Sequence, residues 1–371
     1  MRPAAKHVIP AKAGIRRPDT ALSNTHRVLR HPAKGRLESR IEGTKRECYR
    51  KQRHFTFCKA ATEEKMKSSR RREFLKSGII SAAGITSLGL ARSGEGLAHP
   101  ANPAARETTG TPPPFHLGLV TYNLARDWDI ETIINNCEKT GFEGAELRTT
   151  HKHGVEPSIS KQKRQEVKKR FADSGVRLVS LGTTCEYESP DAATVEKNIE
   201  ETRRWCELAQ DLGCLGVKVR PNGFPGGIPH EQTVEQIGHA LARCGDAARN
   251  HGVEIWMEIH GEGTQLPSNS HQILSAANHP SVGACWNSNP TDVENGSVQK
   301  GFELLRPWIR SCHINNLDDK DYPWHELFAL LRSINFDRYT FAEVAQPSCE
   351  PLRFMSYYHA VWDYHAGLGR P

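Results

Sequence analysis

Eight short apolar runs, regularly spaced, constrain the fold of this chain more than any other feature. Successive runs begin 27 to 38 residues apart, at 116–122, 144–148, 177–182, 215–220, 253–259, 282–287, 309–315 and 340–344. Longer amphipathic segments with helical periodicity separate them, including 130–141, 161–175, 195–213, 234–252 and 325–334. Strands that alternate with helices at this spacing predict a parallel sheet with right-handed crossovers.

The number of strand–helix units favours a closed barrel over an open sheet. Residues 115–371 hold all eight units, and this length is close to the ~250 residues typical of a (β/α)8 barrel. The pattern Gly-x-Gly-x-x-Gly does not follow the first run, so an open dinucleotide-binding fold lacks its fingerprint. We therefore predict one α/β domain over 115–371, an eight-stranded parallel TIM barrel.

Composition argues against several classes of function. Residues 1–114 carry 24 Lys+Arg against 9 Asp+Glu, whereas residues 115–371 carry 26 against 34. The acidic body argues against a nucleic-acid ligand, which requires a basic face. Outside the leader no apolar run is long enough to span a membrane. The ten cysteines include no CxxC pair and are expected to be buried small side chains.

A basic cluster with an apolar run behind it marks an export signal. Residues 71–76 read Arg-Arg-Glu-Phe-Leu-Lys, which resembles a twin-arginine signal, and a mildly apolar run follows at 77–90. Small residues then offer cleavage sites ending at Ala91 or Ala98. The alternative is a chance basic cluster before a short helix. We assign 66–98 as the signal peptide and expect an exported, periplasmic protein.

The segments on either side of this signal are expected to lack a fold. Residues 99–114 are rich in proline and predict a flexible linker. Residues 1–65 are polar, basic and without apolar periodicity, so we expect them to be disordered. If translation begins at Met66, residues 1–65 are not part of the protein at all.

Polar residues stand at equivalent positions near the ends of the last four runs. These are Glu258, Asn287, His313 and Glu343, separated by 29, 26 and 30 residues. Each alone is more commonly an ion-pair or hydrogen-bond partner. Active sites of (β/α)8 barrels lie at the C-terminal ends of the strands, and buried charges there need a partner or a cation. Two carboxylates, an imidazole and an amide oxygen predict one divalent metal, manganese first, with magnesium, cobalt and zinc as alternatives.

Further polar residues near strand ends are candidates for contact with a substrate. They are Glu146, Lys218, Arg220, His260 and Asn315. Two have structural alternatives: Lys218 as an interior partner of Glu146, and Arg220 as a cap of the turn at 221–223. The loop 221–233, rich in glycine and proline, is expected to form a lid over the mouth.

Two pairs of side chains allow either a functional or a structural interpretation. His151 and His153 follow the second run and could contact a substrate or remain solvated in their loop. Trp256 and Trp286 alternate with the candidate ligands and could stack on a sugar or pack between barrel and helices.

The segments WMEIH, ACWNSNP, SCHIN and FAEV resemble the last four strands of xylose-isomerase-like barrels, the sugar phosphate isomerase/epimerase superfamily. The resemblance extends over 116–360. It implies that Glu258, Asn287, His313 and Glu343 hold one metal. It also implies that Glu258 and Glu343 act as acid and base on opposite faces of a sugar, through an enediolate.

Three departures from the family pattern bear on the substrate and the metal. Asn287 stands where the family has Asp, which removes one negative charge and predicts weaker metal binding. Pro290 replaces a family histidine, and the run 313–316 reads His-Ile-Asn-Asn where the family often has His-x-Lys-Asp. The missing lysine favours an unphosphorylated carbohydrate.

The sequence thus predicts a metal-dependent isomerase or epimerase of a small sugar or keto-sugar. Alternatives are a keto-sugar lyase or hydratase on the same site, a non-catalytic carbohydrate-binding barrel, and a phosphodiesterase like the endonuclease IV branch. No nucleic-acid partner and no membrane span after signal removal are expected. The oligomeric state is left open, with a homo-oligomer as one outcome.

Overall fold

The computed structural model describes residues 115–368. The signal peptide assigned to 66–98, the linker at 99–114 and the upstream segment 1–65 lie outside these residues. Within the described range, no helix combines the length and the apolar character needed to cross a bilayer.

Residues 115–368 form a closed barrel of eight parallel strands, with strand order β1 to β8. The strands span His116–Val120, Gly144–Arg148, Arg177–Glu186, Gly216–Arg220, Glu254–Glu258, Val282–Asn287, Ile309–Ile314 and Tyr339–Ala342. The helices α1 to α8 span Ile130–Thr140, Lys161–Ala172, Ala192–Leu212, His230–Asn250, Pro267–Ala277, Gln299–Leu305, Trp324–Ser333 and Pro351–His365. The predicted TIM barrel is confirmed.

Local sequence explains where several helices begin. Asp129, Ser160 and Asp191 stand just before α1, α2 and α3, and each side chain accepts a hydrogen bond from a backbone N–H of the first turn. Such caps satisfy donors that have no partner inside the helix. The amphipathic segments named from the sequence do not include α5, α6 or α8; α6 has only seven residues, and α5 contains no Lys, Arg, Asp or Glu.

A small apolar cluster fills the barrel interior below the strand ends. It contains Val120, Val179, Trp256, Cys285 and Phe341, all nearly inaccessible to solvent. Trp256, Cys285 and Phe341 each precede a candidate ligand by two residues, so they share its face of the strand. The cluster therefore forms a floor under the predicted site. Most of the remaining core lies between the barrel wall and the helices.

Glycines make room for the two largest rings of this floor. A Cβ on Gly216 would come within 2.4 Å of the Trp256 ring, and one on Gly118 within 2.5 Å of the Phe341 ring. The interior is therefore packed by small residues on one strand facing large residues on the next.

Seven of the eight cysteines in the described range are buried as free thiols, and Cys349 is exposed. This agrees with their expected role as small core side chains. Burial raises the pKa of the Cys137 and Cys214 thiols to about 12, so neither is a thiolate near neutral pH.

Candidate active site at the C-terminal ends of the strands

Three of the predicted ligands converge at the mouth of the barrel. Glu258, His313 and Glu343 each offer one ligand atom within 4.8 Å of the others. His313 Nδ1 lies 3.3 Å from Glu258 Oε1 and 3.5 Å from Glu343 Oε2. Glu343 follows β8 directly, and its backbone N–H donates to the carbonyl of Ile314 on β7 at 2.9 Å. The strand ends therefore bring together residues that are up to 85 positions apart in the sequence.

Asn287, the fourth predicted ligand, lies opposite His313 in the β6–β7 ladder. Its Nδ2 faces Asn289 Oδ1 at 3.4 Å, whereas its Oδ1 is buried and has no hydrogen-bond partner. A buried carbonyl oxygen without a partner is costly unless a cation or a donor satisfies it. The orientation of this amide therefore leaves an oxygen free for a ligand.

Lys218 on β4 forms a buried ion pair with Glu258. Its Nζ lies 2.6 Å from Glu258 Oε2, and both side chains are less than 5% exposed, at 4% and 3%. Burial alone would raise the pKa of Glu258, but Lys218 and His313 outweigh it and hold this pKa well below its usual value. Lys218 thus contacts Glu258 rather than Glu146, the interior partner that the sequence suggested.

Glu146 on β2 lies behind His313, away from solvent. Its Oε1 is 3.2 Å from His313 Nε2, and its Oε2 accepts a hydrogen bond from Ser180 Oγ at 2.8 Å. Both Glu146 and His313 have completely buried side chains. One ring nitrogen of His313 therefore faces the carboxylates of the mouth, and the other faces Glu146. Sequence reasoning grouped Glu146 with the substrate contacts; this geometry makes it a neighbour of the imidazole.

The field in this cluster is negative. Burial would lower the pKa of His313, yet Cys285, Glu343 and Glu146 raise it well above its usual value. Burial likewise acts against the charge of Lys218, but Glu258, Glu146 and Glu343 raise its pKa. Three carboxylates thus stabilise positive charge on their neighbours, and the same field attracts a metal cation.

The other proposed substrate contacts lie nearer the rim. Arg220 pairs with Glu186 across β3 and β4 instead of capping the turn at 221–223. His260 Nδ1 donates to Asn222 Oδ1 at 3.0 Å, which leaves Nε2 free. Asn315 donates from Nδ2 to the Ser288 carbonyl at 2.9 Å, so it also ties the end of β7 to the end of β6.

The loop expected to act as a lid packs against the neighbouring β5–α5 loop. The hydrogen bond from His260 to Asn222 joins them. Gly261 has φ of +93°, and a Cβ there would lie 2.5 Å from the Asn222 backbone. Phe224 stacks on His230 with ring centroids 4.1 Å apart. A glycine is therefore required where the two loops touch.

Two histidines for which a solvated loop position was one of two interpretations are buried. His151 and His153 are 7% and 8% exposed. Burial is the main cause that lowers the pKa of each imidazole to about 4. His153 bonds the Arg148 carbonyl through Nε2 and the Val155 N–H through Nδ1, so it holds its own loop together. His151 lies beside Thr121 and the Arg148 guanidinium.

Neither tryptophan can stack on a sugar, because both rings are only 1% exposed. Trp256 belongs to the interior floor, where its Nε1 donates to Glu254 Oε2 at 2.7 Å. Trp286 packs on the outside of β6 against Phe302 of α6, with ring centroids 5.8 Å apart. The structural interpretation is correct for Trp286, and Trp256 packs inside the barrel rather than against helices.

A buried network beside the mouth was missed by sequence reasoning. Trp286 Nε1 donates to Tyr322, whose hydroxyl donates to Asp292 Oδ2 at 3.1 Å. Asp292 also accepts from the Asn289 backbone N–H at 2.8 Å, and Asn289 Nδ2 donates to the Ile259 carbonyl at 2.7 Å. The network fixes the segment that holds Asn287. The capping-box pattern formed by Asn289 and Asp292, with Pro290 directly after Asn289, was its one visible signal.

A closed barrel with carboxylates and an imidazole gathered at the C-terminal strand ends defines a (β/α)8 protein with a candidate metal-assisted active site. The family model of the xylose isomerase-like TIM barrel matches residues 134–353. The chain therefore belongs to this family, as its strand motifs suggested. No curated protein matches the chain significantly.

Solved structures of the same architecture include sugar epimerases. The chain is similar to the 3-keto-D-glucoside 4-epimerase YcjR of E. coli, at 13% identity and a TM-score of 0.57 over 68% of this chain and 98% of that one. It is also similar to D-psicose 3-epimerase of Clostridium cellulolyticum H10, at 14% identity and a TM-score of 0.58 over 68% and 99%. The IOLI protein, crystallised with a zinc atom, matches at 17% identity and a TM-score of 0.54 over 68% and 98%. At these identities the similarity shows the fold alone.

Proposed function

We propose that this protein is a divalent-metal-dependent isomerase or epimerase of a small sugar or keto-sugar. The observation that carries the proposal is the convergence of Glu258, His313 Nδ1 and Glu343 within 4.8 Å at the barrel mouth. The names of the structurally similar epimerases support the substrate class.

The residues present fit a metal by their chemistry. Glu258, Glu343 and His313 Nδ1 would hold it. The buried Oδ1 of Asn287, which has no hydrogen-bond partner among the described residues, would supply the fourth ligand atom. Such a mixed set suits manganese, magnesium, cobalt or zinc, and we propose manganese first. When bound there, a divalent cation polarises adjacent carbonyl and hydroxyl oxygens and acidifies the neighbouring C–H bond.

The carboxylates of this chain would move the proton. Glu343 has a side chain that is 15% exposed, whereas that of Glu258 is 3% exposed, so the two approach the mouth from different depths. One would remove the proton from carbon and the other return one to the opposite face. The low pKa of Glu258 keeps it ionised, and Lys218 holds its Oε2 in place.

Other groups would position the imidazole and the substrate. Glu146 Oε1 lies 3.2 Å from His313 Nε2, so Nδ1 is the ring nitrogen that faces the ligand cluster. Lys218 would also stabilise developing charge on an enediolate oxygen. Arg220, His260 and Asn315 lie at the rim, where hydroxyl groups of the substrate would be recognised.

The test is exchange of carbon-bound hydrogen with solvent. Protein purified without chelating resin is analysed for metal by plasma mass spectrometry and then incubated in D₂O with D-fructose, D-psicose and a 3-keto-glucoside. We expect about one divalent metal per chain and incorporation of deuterium next to the carbonyl, both removed by Glu258→Gln and His313→Ala.

Glu303→Gln is the matched control, because Glu303 pairs with Arg306 on the surface. Loss of water from the keto-sugar would identify the lyase or hydratase alternative on the same site. Sugar binding without metal and without exchange, even after incubation with manganese, would reject catalysis in favour of a carbohydrate-binding barrel.

We also propose that the protein is exported through the twin-arginine pathway. The proposal rests on the sequence of residues 71–76 and the apolar run at 77–90. Fractionation of cells expressing the full chain is expected to place the mature barrel in the periplasm. Replacing Arg71 and Arg72 by lysine should retain it in the cytoplasm, and periplasmic protein in that variant would contradict the proposal.

A further inference from the structure

Two arginines at the rim of the barrel differ in their partners. Arg148 ends β2 and Arg220 ends β4, and each follows an interior residue, Glu146 or Lys218, by two positions. Two-residue spacing places them on the same faces of their strands as the interior groups, one step nearer the mouth. Arg220 pairs with Glu186. Within residues 115–368, Arg148 forms no ion pair with a carboxylate.

The immediate neighbours of Arg148 are neutral. Its guanidinium lies over the Tyr122 ring, 5.4 Å from the centroid, and Nη1 is 3.5 Å from His151 Nε2. A guanidinium only donates, so Nε2 accepts from Arg148 and the ring proton lies on Nδ1, 3.1 Å from Thr121 Oγ1. Burial, followed by the charge of Arg148, lowers the pKa of His151 to about 4. The imidazole therefore carries no charge near neutral pH, and it does not offset the charge of the guanidinium.

The carboxylates below are already engaged. Glu146 contacts His313 and Ser180, and Glu258 contacts Lys218. The deeper carboxylates thus have cationic neighbours of their own, whereas Arg148 above β2 pairs with no carboxylate of residues 115–368. Tyr122 and His151 hold the planar guanidinium in a defined position, which suits recognition of a planar anion.

We propose that Arg148 is the subsite for a carboxylate on the substrate, so that the sugar handled at this mouth is a sugar acid. A guanidinium binds a carboxylate through two parallel hydrogen bonds, and one cation matches one negative charge. A phosphate dianion needs more donors than one guanidinium offers. The nearby Arg126 is exposed, so it does not form part of this subsite. The inference rests on the proposed function, because it narrows the substrate class of that site.

Calorimetry with paired probes tests the subsite. D-glucuronate and D-glucose share a pyranose ring and differ at the carboxylate. We expect the manganese-loaded protein to bind glucuronate about 10-fold to 100-fold more tightly than glucose. Arg148→Gln should abolish this preference and leave glucose binding unchanged. Arg148→Lys, which keeps the charge but not the two-pronged geometry, should retain part of it.

Arg306→Gln is the control, since it removes an exposed arginine that pairs only with Glu303 among the described residues. Equal or undetectable binding of the two sugars by the wild type would overturn the proposal, as would a preference that survives in Arg148→Gln. Tighter binding of glucose 6-phosphate or of inorganic phosphate than of glucuronate would assign the subsite to phosphate and reject the carboxylate. The preference is measured by binding and the proposed function by deuterium exchange, so either can fail alone.

Discussion

Two layers of side chains inside the barrel are stabilised in opposite ways. Towards the C-terminal ends of the strands, Glu146, Lys218, Glu258 and His313 are buried ionisable groups that depend on one another. One step towards the N-terminal ends, Trp256 and its apolar neighbours fill the same interior by packing. On β5 the two layers use alternate residues of one strand, Trp256 and Glu258.

The difference separates stability from chemistry. A packed apolar layer gains free energy from burial and excludes water, whereas buried charges gain little net stability and must be held in place. The floor therefore supplies a rigid base on which the charged layer is held. At the outer edge of this floor, the Arg338 guanidinium lies 5.5 Å from the Trp256 ring and 2.8 Å from Glu254.

Glu258→Gln should have the largest effect on activity. It removes a proposed ligand and proton carrier together, so we expect deuterium exchange per folded molecule to fall by about 10⁴-fold. Exchange by NMR with D-fructose or D-psicose measures it. The same change in the surface residue Glu303 should leave exchange intact. Activity within a factor of ten of wild type would show that the charged layer is not catalytic.

Trp256→Ala should affect stability rather than function. Deleting a buried indole from the floor is expected to lower the free energy of unfolding by about 3–5 kcal/mol, measured by urea denaturation. Tyr357→Ala is the control, because Tyr357 is 62% exposed and should change stability by less than about 0.5 kcal/mol. If metal affinity falls but stability does not, the two layers are not separable.

Asp292 contrasts with the charged layer, because it is a buried carboxyl with no cation beside it among residues 115–368. Burial, opposed only by hydrogen bonds, raises its pKa from 3.8 to about 8. Its contribution to stability is therefore present below pH 3.8 and is lost as pH rises through about 8. Asp292→Asn should match wild type near pH 4 and be more stable at pH 9, by an amount of the order of several kcal/mol, at about 1.4 kcal/mol per pKa unit.

Denaturation curves at a series of pH values measure this difference. Asp318→Asn, at an exposed position, should show no such trend. A difference between Asp292→Asn and wild type that is constant with pH would mean that Asp292 is ionised in the folded protein.

Glu146→Gln should have a smaller effect, confined to the metal. Removing the carboxylate behind His313 Nε2 is expected to weaken manganese binding by about 10-fold to 100-fold, measured by calorimetry. Ser180→Ala should weaken it less, because Ser180 acts only through Glu146. Glu143→Gln, at an exposed position before the same strand, is the control. Unchanged metal affinity with reduced stability would make Glu146 a purely structural residue.

Much of the fold follows from local sequence. The eight apolar runs gave strand positions that agree with the structure to within a few residues, because alternation and helical periodicity are local properties. Their ends also marked Glu258, Asn287, His313 and Glu343 as one group, because barrel geometry places all strand ends on one side. Whether these residues bind metal stays a prediction.

The partners of these residues do not follow from the sequence. Glu146 was suggested as the interior partner of Lys218, but Lys218 contacts Glu258. Arg220 was suggested as a cap of the turn at 221–223, but it contacts Glu186. His151, for which a solvated position was one of two interpretations, is buried against Arg148 and Thr121. Each outcome depends on which side chain on the adjacent strand or loop lies at the same height, and the spacing along one strand does not contain that information.

The sequence by itself determined a (β/α)8 barrel and the face of each strand on which its chemistry lies. Tertiary structure decided the position of each side chain along the barrel axis, through irregularities in strand pairing. A register shift between Ala145 and Glu146 brings Glu146 opposite Ser180, and another between Ala284 and Cys285 brings Asn287 opposite His313. Without the second shift Asn287 would face Cys312. Such shifts arise from closing eight twisted strands into one barrel, so they are set by the whole sheet and not by any one strand.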